Sequence, residues 1–290
     1  MNFEIFKNKK VLITGHTGFK GSWLTLWMND LGAKVFGISN DFPSKPCHFE
    51  LLKIKENISS IKEDIRNKEK IKEQILKIKP DFIFHLAAQP LVKKAYEDPI
   101  LTYETNFIGT LNILESLKEL SNRCIVVLIT SDKSYKNVEW TWGYRENDQF
   151  GGIDPYSASK GATEIMINSY CKSFFEKNRN ISIGVGRAGN VIGGGDWAKD
   201  RIIPDCVRYW SKNQKAKLRN PNATRPWQHV LEAVGGYICL AANLKLNKKL
   251  HGESFNFGPS LSKEYSVLKL VKTMKNYWSD VSWKISPKYK

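Results

Sequence analysis

The stretch from Val11 to Gly21 constrains the fold of this chain more than any other. A short apolar run, Val11–Thr14, breaks into a turn that carries Gly15, Gly18 and Gly21. In this spacing the first glycine permits a tight turn, the second lets backbone N–H groups approach a pyrophosphate, and the third lets the next helix pack closely. The N-terminus of that helix adds partial positive charge. The pattern predicts a strand, a phosphate-binding turn and a helix at the start of an α/β sheet.

Further apolar runs follow this unit and alternate with segments of helical periodicity. The predicted strands cover residues 34–39, 57–60, 81–88, 124–130 and 181–186. Such alternation is typical of an α/β fold with a doubly wound parallel sheet in the strand order 3-2-1-4-5-6. Beyond Arg187 the chain becomes rich in loops and aromatic residues. We therefore predict a Rossmann-type domain over residues 1–186 and a smaller C-terminal substrate lobe over residues 187–290.

Composition narrows the class of protein and its partners. The net charge is +16, but the lysines are scattered, as in the helical stretch 62–79, and form no basic block. We interpret this charge mainly as solvated faces and expect no nucleic-acid partner. The five cysteines are far apart without a Cys-x-x-Cys pair, which favours free thiols in a reducing compartment over disulfides or a metal site. Without a signal-peptide pattern or a membrane-length apolar run, we expect a cytoplasmic protein that binds no membrane.

The second predicted strand bears on the choice of dinucleotide. Units that bind NAD usually end this strand with an acid for the ribose hydroxyls, but Ile38 occupies that place and the nearest acid is Asp41. No arginine adjoins to hold a 2′-phosphate, so NAD is favoured over NADP. Asp64 suits either a hydrogen bond to the adenine amine or the N-cap of the next helix. The expected cofactor contacts are Gly15, Thr17, Gly18, Phe19, Lys20, Gly21, Asp64, Ile65, Leu86, Ala87 and Ala88.

Two further groups of residues carry the predicted chemistry. Tyr156 and Lys160 stand four residues apart at the start of a helical run, so both project from one face. An ammonium beside a phenol lowers the pKa of the phenol, which makes Tyr156 a candidate acid/base; a surface tyrosine above a solvated lysine is the alternative. Ser131, Asp132 and Lys133 follow the fifth strand, at the sheet edge where ligands of open parallel sheets bind.

Together, the glycine turn, Ser131 and the Tyr156–Lys160 pair resemble the extended short-chain dehydrogenase/reductase family. Longer strings are similar to those of the nucleotide-sugar 4,6-dehydratases of this family, in particular those that act on CDP-glucose. The similarity extends over nearly the whole chain. The strings are Thr14–Trp23, Ser131–Lys133, Arg187–Trp197 and Arg225–Val230.

The resemblance implies NAD as cofactor and CDP-glucose as substrate. It implies a dehydration in which the sugar C4 is oxidised, water leaves across C5 and C6, and hydride returns to C6. Tyr156 as phenolate would take the 4-hydroxyl proton, Lys160 would hold the cofactor ribose and tune Tyr156, and Ser131 would hydrogen-bond the 4-oxygen. Asp132 would protonate the departing 6-hydroxyl. Lys133 stands where related dTDP-glucose dehydratases carry the glutamate that acts as C5 base. Since a lysine is a base only with a depressed pKa, the C5 base stays open.

The second half of the chain supplies the expected substrate contacts. The resemblance implies that Asn190 and Arg225 lie near the nucleotide-sugar phosphates, and arginines suit bidentate phosphate binding. We expect one or two arginines of this half to form structural ion pairs instead. The predicted substrate contacts are Gln89, Asn190, Arg201, Arg208 and Arg225.

The sequence is compatible with several alternative functions, and it also predicts how the chain assembles. The alternatives are another nucleotide-sugar dehydratase or epimerase of the same fold, a shortened NAD-binding protein without activity, and a basic nucleic-acid-binding protein. Family members usually continue beyond the point that corresponds to Lys290, so we expect an incomplete substrate lobe. Apolar stripes on the helical stretch 100–117 and on the Tyr156 helix predict a homo-oligomer that forms through a helix bundle.

Overall fold

Seven parallel strands form the central sheet. The computed structural model describes residues 3–177, 180–259 and 265–286. The strands in these residues are β1 (Lys10–Thr14), β2 (Lys34–Ser39), β3 (Ser59–Lys62), β4 (Phe82–His85), β5 (Cys124–Ile129), β6 (Ile181–Ala188), β7 (Val191–Ile192), β8 (Ala216–Leu218), β9 (Gln228–His229), β10 (Ser254–Phe257) and β11 (Trp283–Ile285). The sheet order is β10-β6-β5-β4-β1-β2-β3. The predicted order of the first six strands is confirmed, and β10 adds a seventh strand beside β6.

Helices connect these strands and cover both faces of the sheet. They are α1 (Phe19–Asp30), α2 (His48–Leu51), α3 (Lys68–Ile78), α4 (Val92–Glu97), α5 (Pro99–Tyr103), α6 (Gly109–Leu117), α7 (Pro155–Tyr170), α8 (Ile202–Trp210), α9 (Val230–Leu246) and α10 (Val267–Lys275). A π-helical segment, Glu104–Ile108, joins α5 to α6, so the helix predicted over residues 100–117 is continuous. No helix in the described part of the chain is long and apolar enough to cross a membrane.

The sheet has a hydrophobic cluster on each face. All six residues of β5 are buried, as expected for a parallel strand that is covered on both sides. Side chains of a strand alternate between faces: Val11 and Ile13 pack with α1 and α9, whereas Leu12 packs with α3, α6 and α7. This two-sided burial fixes the register of the strands, and with it the positions of their carboxyl ends.

The residues beyond 186 belong to two parts of the structure. A small unit built from α8, β8, α10 and β11 has its own cluster around Cys206, Trp210 and Val271. By contrast, α9 packs on the central sheet and β10 pairs with β6. The boundary predicted at residue 186 therefore does not follow the packing. The loop-rich composition after Arg187 marks the start of the small lobe, but α9 and β10 return to the sheet before α10 and β11 rejoin the lobe.

Candidate active site

The carboxyl ends of the parallel strands open into a cavity of about 1600 Å³. The turn after β1, the ends of β4 and β5, the start of α7 and the small lobe form its walls. Every residue predicted as catalytic, cofactor-binding or substrate-binding lines this cavity. Topology explains this convergence, because all strands of a parallel sheet end at the same edge.

The glycine turn forms one wall of the cavity. Gly15 has a φ of +73°, and a Cβ atom there would lie 2.8 Å from backbone atoms of Ala87. A Cβ atom on Gly21 would overlap with the Gly15 carbonyl oxygen. Gly18 is the N-cap of α1 and brings no side chain over the start of the helix. The turn is thus a backbone cradle that fits the diphosphate of a dinucleotide.

The loop after β3 carries the residues predicted for the adenosine end. Asp64 accepts hydrogen bonds from Arg66, the shortest at 2.8 Å, and the Arg66 guanidinium holds the pKa of Asp64 below its usual range. Asn67 caps α3 and accepts from the backbone N–H of Lys70 at 3.3 Å. The capping alternative for Asp64 is therefore wrong. The side chain of Ile65 packs in the core beneath the sheet, so this residue borders the cavity only in part.

His16 lies beside the end of β2 and was missed by the sequence reasoning. Its ring is buried, with Nδ1 at 2.9 Å from the Ser39 hydroxyl and Nε2 at 2.8 Å from the Ser60 hydroxyl. Burial lowers the pKa of His16 to about 4, so the ring is neutral. It bridges β2 and β3 at the edge where an acid was expected. Nothing in the local sequence distinguishes this histidine, because both of its partners are distant along the chain.

The start of α7 orients the Tyr156–Lys160 pair. Asp154 caps the helix, accepting from the Ser157 N–H at 3.0 Å, and Pro155 occupies the first turn. Tyr156 is 8% exposed and Lys160 is 5% exposed. The alternative of a surface tyrosine above a solvated lysine is therefore wrong.

The electrostatics of this pair differ from the expectation. Burial raises the pKa of Tyr156 to about 12, while a hydrogen bond with Ser131 acts in the opposite direction. Burial, together with the Lys20 ammonium, lowers the pKa of Lys160 to about 8. The prediction that the adjacent lysine lowers the pKa of Tyr156 is wrong for this structure, because desolvation has the largest effect on the phenol and the groups that oppose it are Ser131 and Arg201.

Ser131, Asp132 and Lys133 form a short turn at the end of β5. The Ser131 hydroxyl donates to Asp132 Oδ1 at 3.0 Å and accepts from the Lys133 N–H at 3.3 Å. Burial raises the pKa of Asp132, and the charges of Lys133 and Lys20 oppose this. A carboxyl group with a raised pKa keeps its proton to higher pH, which suits a general acid.

A buried ion pair behind the cavity was also missed by the sequence reasoning. Arg187 donates to both carboxylate oxygens of Glu164 at 2.8 and 3.0 Å, and each side chain is 2% exposed. The Thr130 hydroxyl also donates to Glu164, and Arg187 donates to the Tyr135 hydroxyl at 2.6 Å. This pair ties the ends of β5 and β6 to α7, one turn beyond Lys160. The only signal for it in the sequence is the spacing of Glu164 from Lys160.

Gln89, a predicted substrate contact, makes hydrogen bonds within the protein. Its amide N–H₂ donates to the Leu91 carbonyl at 3.1 Å and to the Thr102 hydroxyl at 2.9 Å. Asn106 accepts from the Gln89 N–H at 2.8 Å and donates to the Ser159 hydroxyl at 2.9 Å. Since both amide hydrogens are already used, Gln89 holds the loop after β4 and has no donor left for a substrate.

The lobe brings its predicted arginines to the opposite wall. Arg201 pairs with Asp196 at 3.0 Å, and Arg208 donates to the carbonyls of Trp197 and Ala198 at 2.9 and 3.0 Å. Three arginines that line the cavity form ion pairs, more than the one or two expected: Arg201 with Asp196, Arg208 with Asp205 and Arg219 with Asp200.

Asn190 and Arg225 complete this wall. Asn190 precedes β7, and its carbonyl accepts from the Gln228 N–H at 3.1 Å, which joins β7 to β9. Arg225 is exposed and donates to the carbonyl of Thr224 at 2.6 Å. Both residues line the cavity.

Comparison with known proteins identifies relatives over the length of the chain. The family model described as GDP-mannose 4,6 dehydratase matches residues 12–282. The chain is 48% identical over 285 residues to CDP-glucose 4,6-dehydratase of Salmonella typhimurium, and the match covers 97% of this chain and 79% of that protein. It is 26% identical to CDP-paratose 2-epimerase of Salmonella typhi, covering 92% of this chain and 84% of that protein.

Solved structures show the same fold at lower identity. Epimerase Mth375 of Methanothermobacter thermautotrophicus has a TM-score of 0.86 and 24% identity, covering 99% of this chain and 82% of that one. DesIV of Streptomyces venezuelae, a dTDP-glucose 4,6-dehydratase with NAD and TYD bound, has a TM-score of 0.81 and 19% identity, covering 96% and 85%. On the family match and the 48% identity, the chain belongs to the GDP-mannose 4,6-dehydratase-like branch of the extended short-chain dehydrogenase/reductase family.

Proposed function

We propose that this protein is a CDP-glucose 4,6-dehydratase, which converts CDP-D-glucose to CDP-4-dehydro-6-deoxy-D-glucose and water. One observation carries the proposal. Ser131 and Asp132 meet Tyr156 and Lys160 in a cavity that also contains a diphosphate cradle, in a chain 48% identical to a protein of that name. The five free cysteines support a reducing, cytoplasmic setting.

NAD is the proposed cofactor. The cradle of Gly15, Gly18 and Gly21 would hold its diphosphate, Asp64 would meet the adenosine end, and Lys160 would bind the nicotinamide ribose. When bound, NAD supplies the site that accepts the sugar C4 hydride and returns it to C6. The small side chains of Ala87 and Ala88, which follow β4, leave room for a ribose to approach.

Tyr156 and Ser131 would act at the sugar C4. The Tyr156 oxygen takes the proton of the 4-hydroxyl, while the Ser131 hydroxyl stabilises the 4-oxygen as it becomes a carbonyl. The Ser131 hydrogen bond and the Arg201 charge both favour the phenolate form of Tyr156, because they lower its pKa against the effect of desolvation. The Asp132 and Asp154 carboxylates act with burial against ionisation, so these two contacts offset part of its cost.

Asp132 and Lys133 would act at C6 and C5. The 4-ketone acidifies the C5–H bond, and Asp132 donates its proton to the 6-hydroxyl as water leaves. We assign the removal of the C5 proton to Lys133, which adjoins the acid on the same turn. The lobe residues Asn190 and Arg225, with the other cavity-lining arginines, would hold the substrate diphosphate.

We further propose that the chain forms a dimer through α5, α6 and α7. Large apolar side chains are exposed along α5, α7 and the π-helical segment that leads into α6: Ile100 is 70% exposed, Ile165 is 59% exposed and Ile108 is 40% exposed. Phe174, in the π-helical continuation of α7, is 50% exposed. Exposed apolar side chains on helices that contact one another mark an interaction surface, and two copies of this apolar patch would pack as a helix bundle.

The function is tested by incubating the purified protein with CDP-glucose and NAD. We expect a 4-keto-6-deoxy sugar, detected by its alkali-induced absorbance and by the loss of one water in mass spectrometry. dTDP-, UDP- and GDP-glucose serve as competing substrates. An epimerase would leave the mass of the sugar unchanged, and the absence of product with every sugar would contradict the proposal.

Tyr156→Phe is the matched control for this assay. The variant lacks only the phenolic oxygen, so we expect product formation to fall by about 10²–10⁴-fold, the range for loss of a general acid/base. Its affinity for NAD should stay close to that of the wild type, since the ring remains in place. Normal turnover by this variant would remove Tyr156 from the reaction.

A further inference from the structure

Lys20 is a partly buried cation that the proton transfers of the proposed reaction do not use. Its side chain leaves the first turn of α1, and Nζ donates to the Tyr237 hydroxyl at 3.3 Å and lies 5.8 Å from the centre of the Tyr237 ring. Tyr237 is fully buried on α9 and packs edge-on against Phe257, with ring centres 5.6 Å apart. The core thus holds the Lys20 ammonium in place at the wall of the active-site cavity.

The charged groups around this ammonium belong to the active site. They come from three elements: Asp132 on the turn after β5, Lys160 on α7, and Arg201 before α8. The Lys20 charge lowers the pKa of Asp132 and that of Lys160. Lys20 therefore influences the acid of the proposed reaction and the partner of its tyrosine.

The chemistry limits where a dinucleotide ring can lie. In the proposed reaction, the hydride leaves C4 of the sugar and the proton leaves the 4-hydroxyl. That hydroxyl would contact Tyr156 and Ser131. The hydride acceptor must approach this carbon to about 3–3.5 Å. With its diphosphate at the glycine turn, a bound dinucleotide would place its redox half between the turn and Tyr156, which line the same cavity. Lys20 starts at the turn, and its charge reaches the groups beside Tyr156.

We propose that Lys20 biases the bound dinucleotide toward its reduced form. The oxidised nicotinamide ring carries a positive charge, and the reduced ring is neutral. An ammonium held nearby in a site of low dielectric repels the former and leaves the latter unaffected. This inference rests on the proposed function and explains a requirement of it: the reduced cofactor must remain bound until its hydride returns to the sugar.

A simpler role for Lys20 is neutralisation of the cofactor diphosphate, and it makes a different prediction. Both redox forms carry the same diphosphate, so losing a phosphate contact would weaken their binding equally. A charge that acts on the ring changes the two affinities by different factors. The ratio of the dissociation constants for NAD and NADH therefore separates the two roles.

The bias should depend on pH. Burial lowers the pKa of Lys20 to about 8, with Arg201 acting in the same direction and Asp132 opposing it. The ammonium is thus present below about pH 7 and lost above about pH 9. The pKa of Lys160 is also lowered to about 8, so the wild-type profile has to be compared with that of Lys20→Arg, which keeps its charge across this range.

The test measures the dissociation constants of NAD and NADH for the wild type, Lys20→Met and Lys20→Arg. Lys34→Met, at an exposed position that begins β2, is the matched control. We expect the wild type to bind NADH more tightly, and Lys20→Met to reduce the ratio about tenfold, equivalent to about 30 mV in a two-electron potential. Lys20→Arg and Lys34→Met should keep the ratio. An unchanged ratio in Lys20→Met overturns the inference.

Two further measurements separate a failure of the Lys20 proposal from a failure of the proposed function. Turnover of CDP-glucose tests that function directly, so an active enzyme with an unchanged ratio contradicts only the role of Lys20. If Lys20→Met does not fold, the pH profiles decide: the ratio should fall between about pH 7 and pH 9 in the wild type more than in Lys20→Arg. Identical profiles would overturn the inference.

Discussion

Tyr156, Asp132 and Lys160 each carry an ionisable group that burial pushes toward its neutral form. The pKa of Tyr156 rises to about 12, that of Asp132 rises, and that of Lys160 falls to about 8. Desolvation penalises a charge of either sign, and the three groups share one partly closed cavity. At the residue scale, burial thus shifts Asp132 toward the protonated form that a general acid needs. Deprotonation of Tyr156, by contrast, requires stabilising neighbours such as Ser131.

The assignment of the C5 base is tested with Lys133→Met in deuterated water. The wild type should place solvent deuterium at C5 of the product, because the base exchanges its proton with solvent. We expect Lys133→Met to oxidise the substrate, seen as absorbance of reduced cofactor, but to lose elimination by about 10²–10⁴-fold. Product formation at the wild-type rate, with deuterium at C5, would assign the base to another side chain.

At the scale of secondary-structure elements, two contacts fix the site. In the glycine turn, Gly21 lets α1 pack closely against the turn after β1. The Glu164–Arg187 pair connects α7 to the ends of β5 and β6. The first shapes the cradle and the second supports the helix that carries Tyr156. The cradle depends on the close approach of Gly21 to the Gly15 carbonyl, and the position of α7 depends on the buried Glu164–Arg187 pair. Small substitutions at these contacts should therefore have large effects.

Gly21→Ala tests the first contact. The added Cβ would overlap with the Gly15 carbonyl oxygen, so α1 must move away from the turn. We expect a loss of about 1–3 kcal/mol in the free energy of unfolding, as for other overpacked sites, and weaker dinucleotide binding. Gly194→Ala is the control, since its Cβ would meet no atom within 4 Å. Equal stability of the two variants would show that the turn can relax.

Glu164→Gln tests the second contact. The variant leaves the Arg187 guanidinium buried without a counter-charge, which costs about 3–5 kcal/mol when a buried pair loses one partner. Urea denaturation measures this loss. Glu73→Gln is the control, because the Lys70–Glu73 pair has side chains 55% and 57% exposed and should contribute only about 0–1 kcal/mol. Similar losses in both variants would contradict a supporting role for the buried pair.

At the scale of the whole molecule, the sheet and the small lobe face each other across the cavity. The sheet carries the cradle and the proposed catalytic residues, whereas the lobe carries the arginines suited to a diphosphate. The apolar patch on α5, α6 and α7 lies on helices that cover one face of the sheet. A dimer through this patch would hold α7, and with it Tyr156, against a second copy.

The double variant Ile100→Glu with Ile165→Glu tests this assembly. Two carboxylates in an apolar interface would have to lose their hydration, so we expect the protein to sediment as a monomer. Leu246→Glu is the control, because Leu246 is 79% exposed at the end of α9, away from the patch. A wild-type protein that is monomeric at micromolar concentration would contradict the proposed dimer.

Local patterns in the sequence determined the strand–turn–helix unit, the order of the first six strands and some of the residues that line the cavity. These features follow from short-range rules: glycine spacing sets the turn, apolar runs set the strands, and parallel strands end at one edge. The same rules placed Tyr156 and Lys160 on one helix face. The family resemblance of longer strings supplied the roles of individual residues.

Only the tertiary structure decided which groups are buried and what they contact. It paired Glu164 with Arg187, used the amide of Gln89 within the protein, and set the Lys20 ammonium against Tyr237. It also returned the chain to the sheet as β10 and reversed the expected shift in the pKa of Tyr156. Burial and contacts between distant residues depend on how all the elements pack, and no local pattern contains that information.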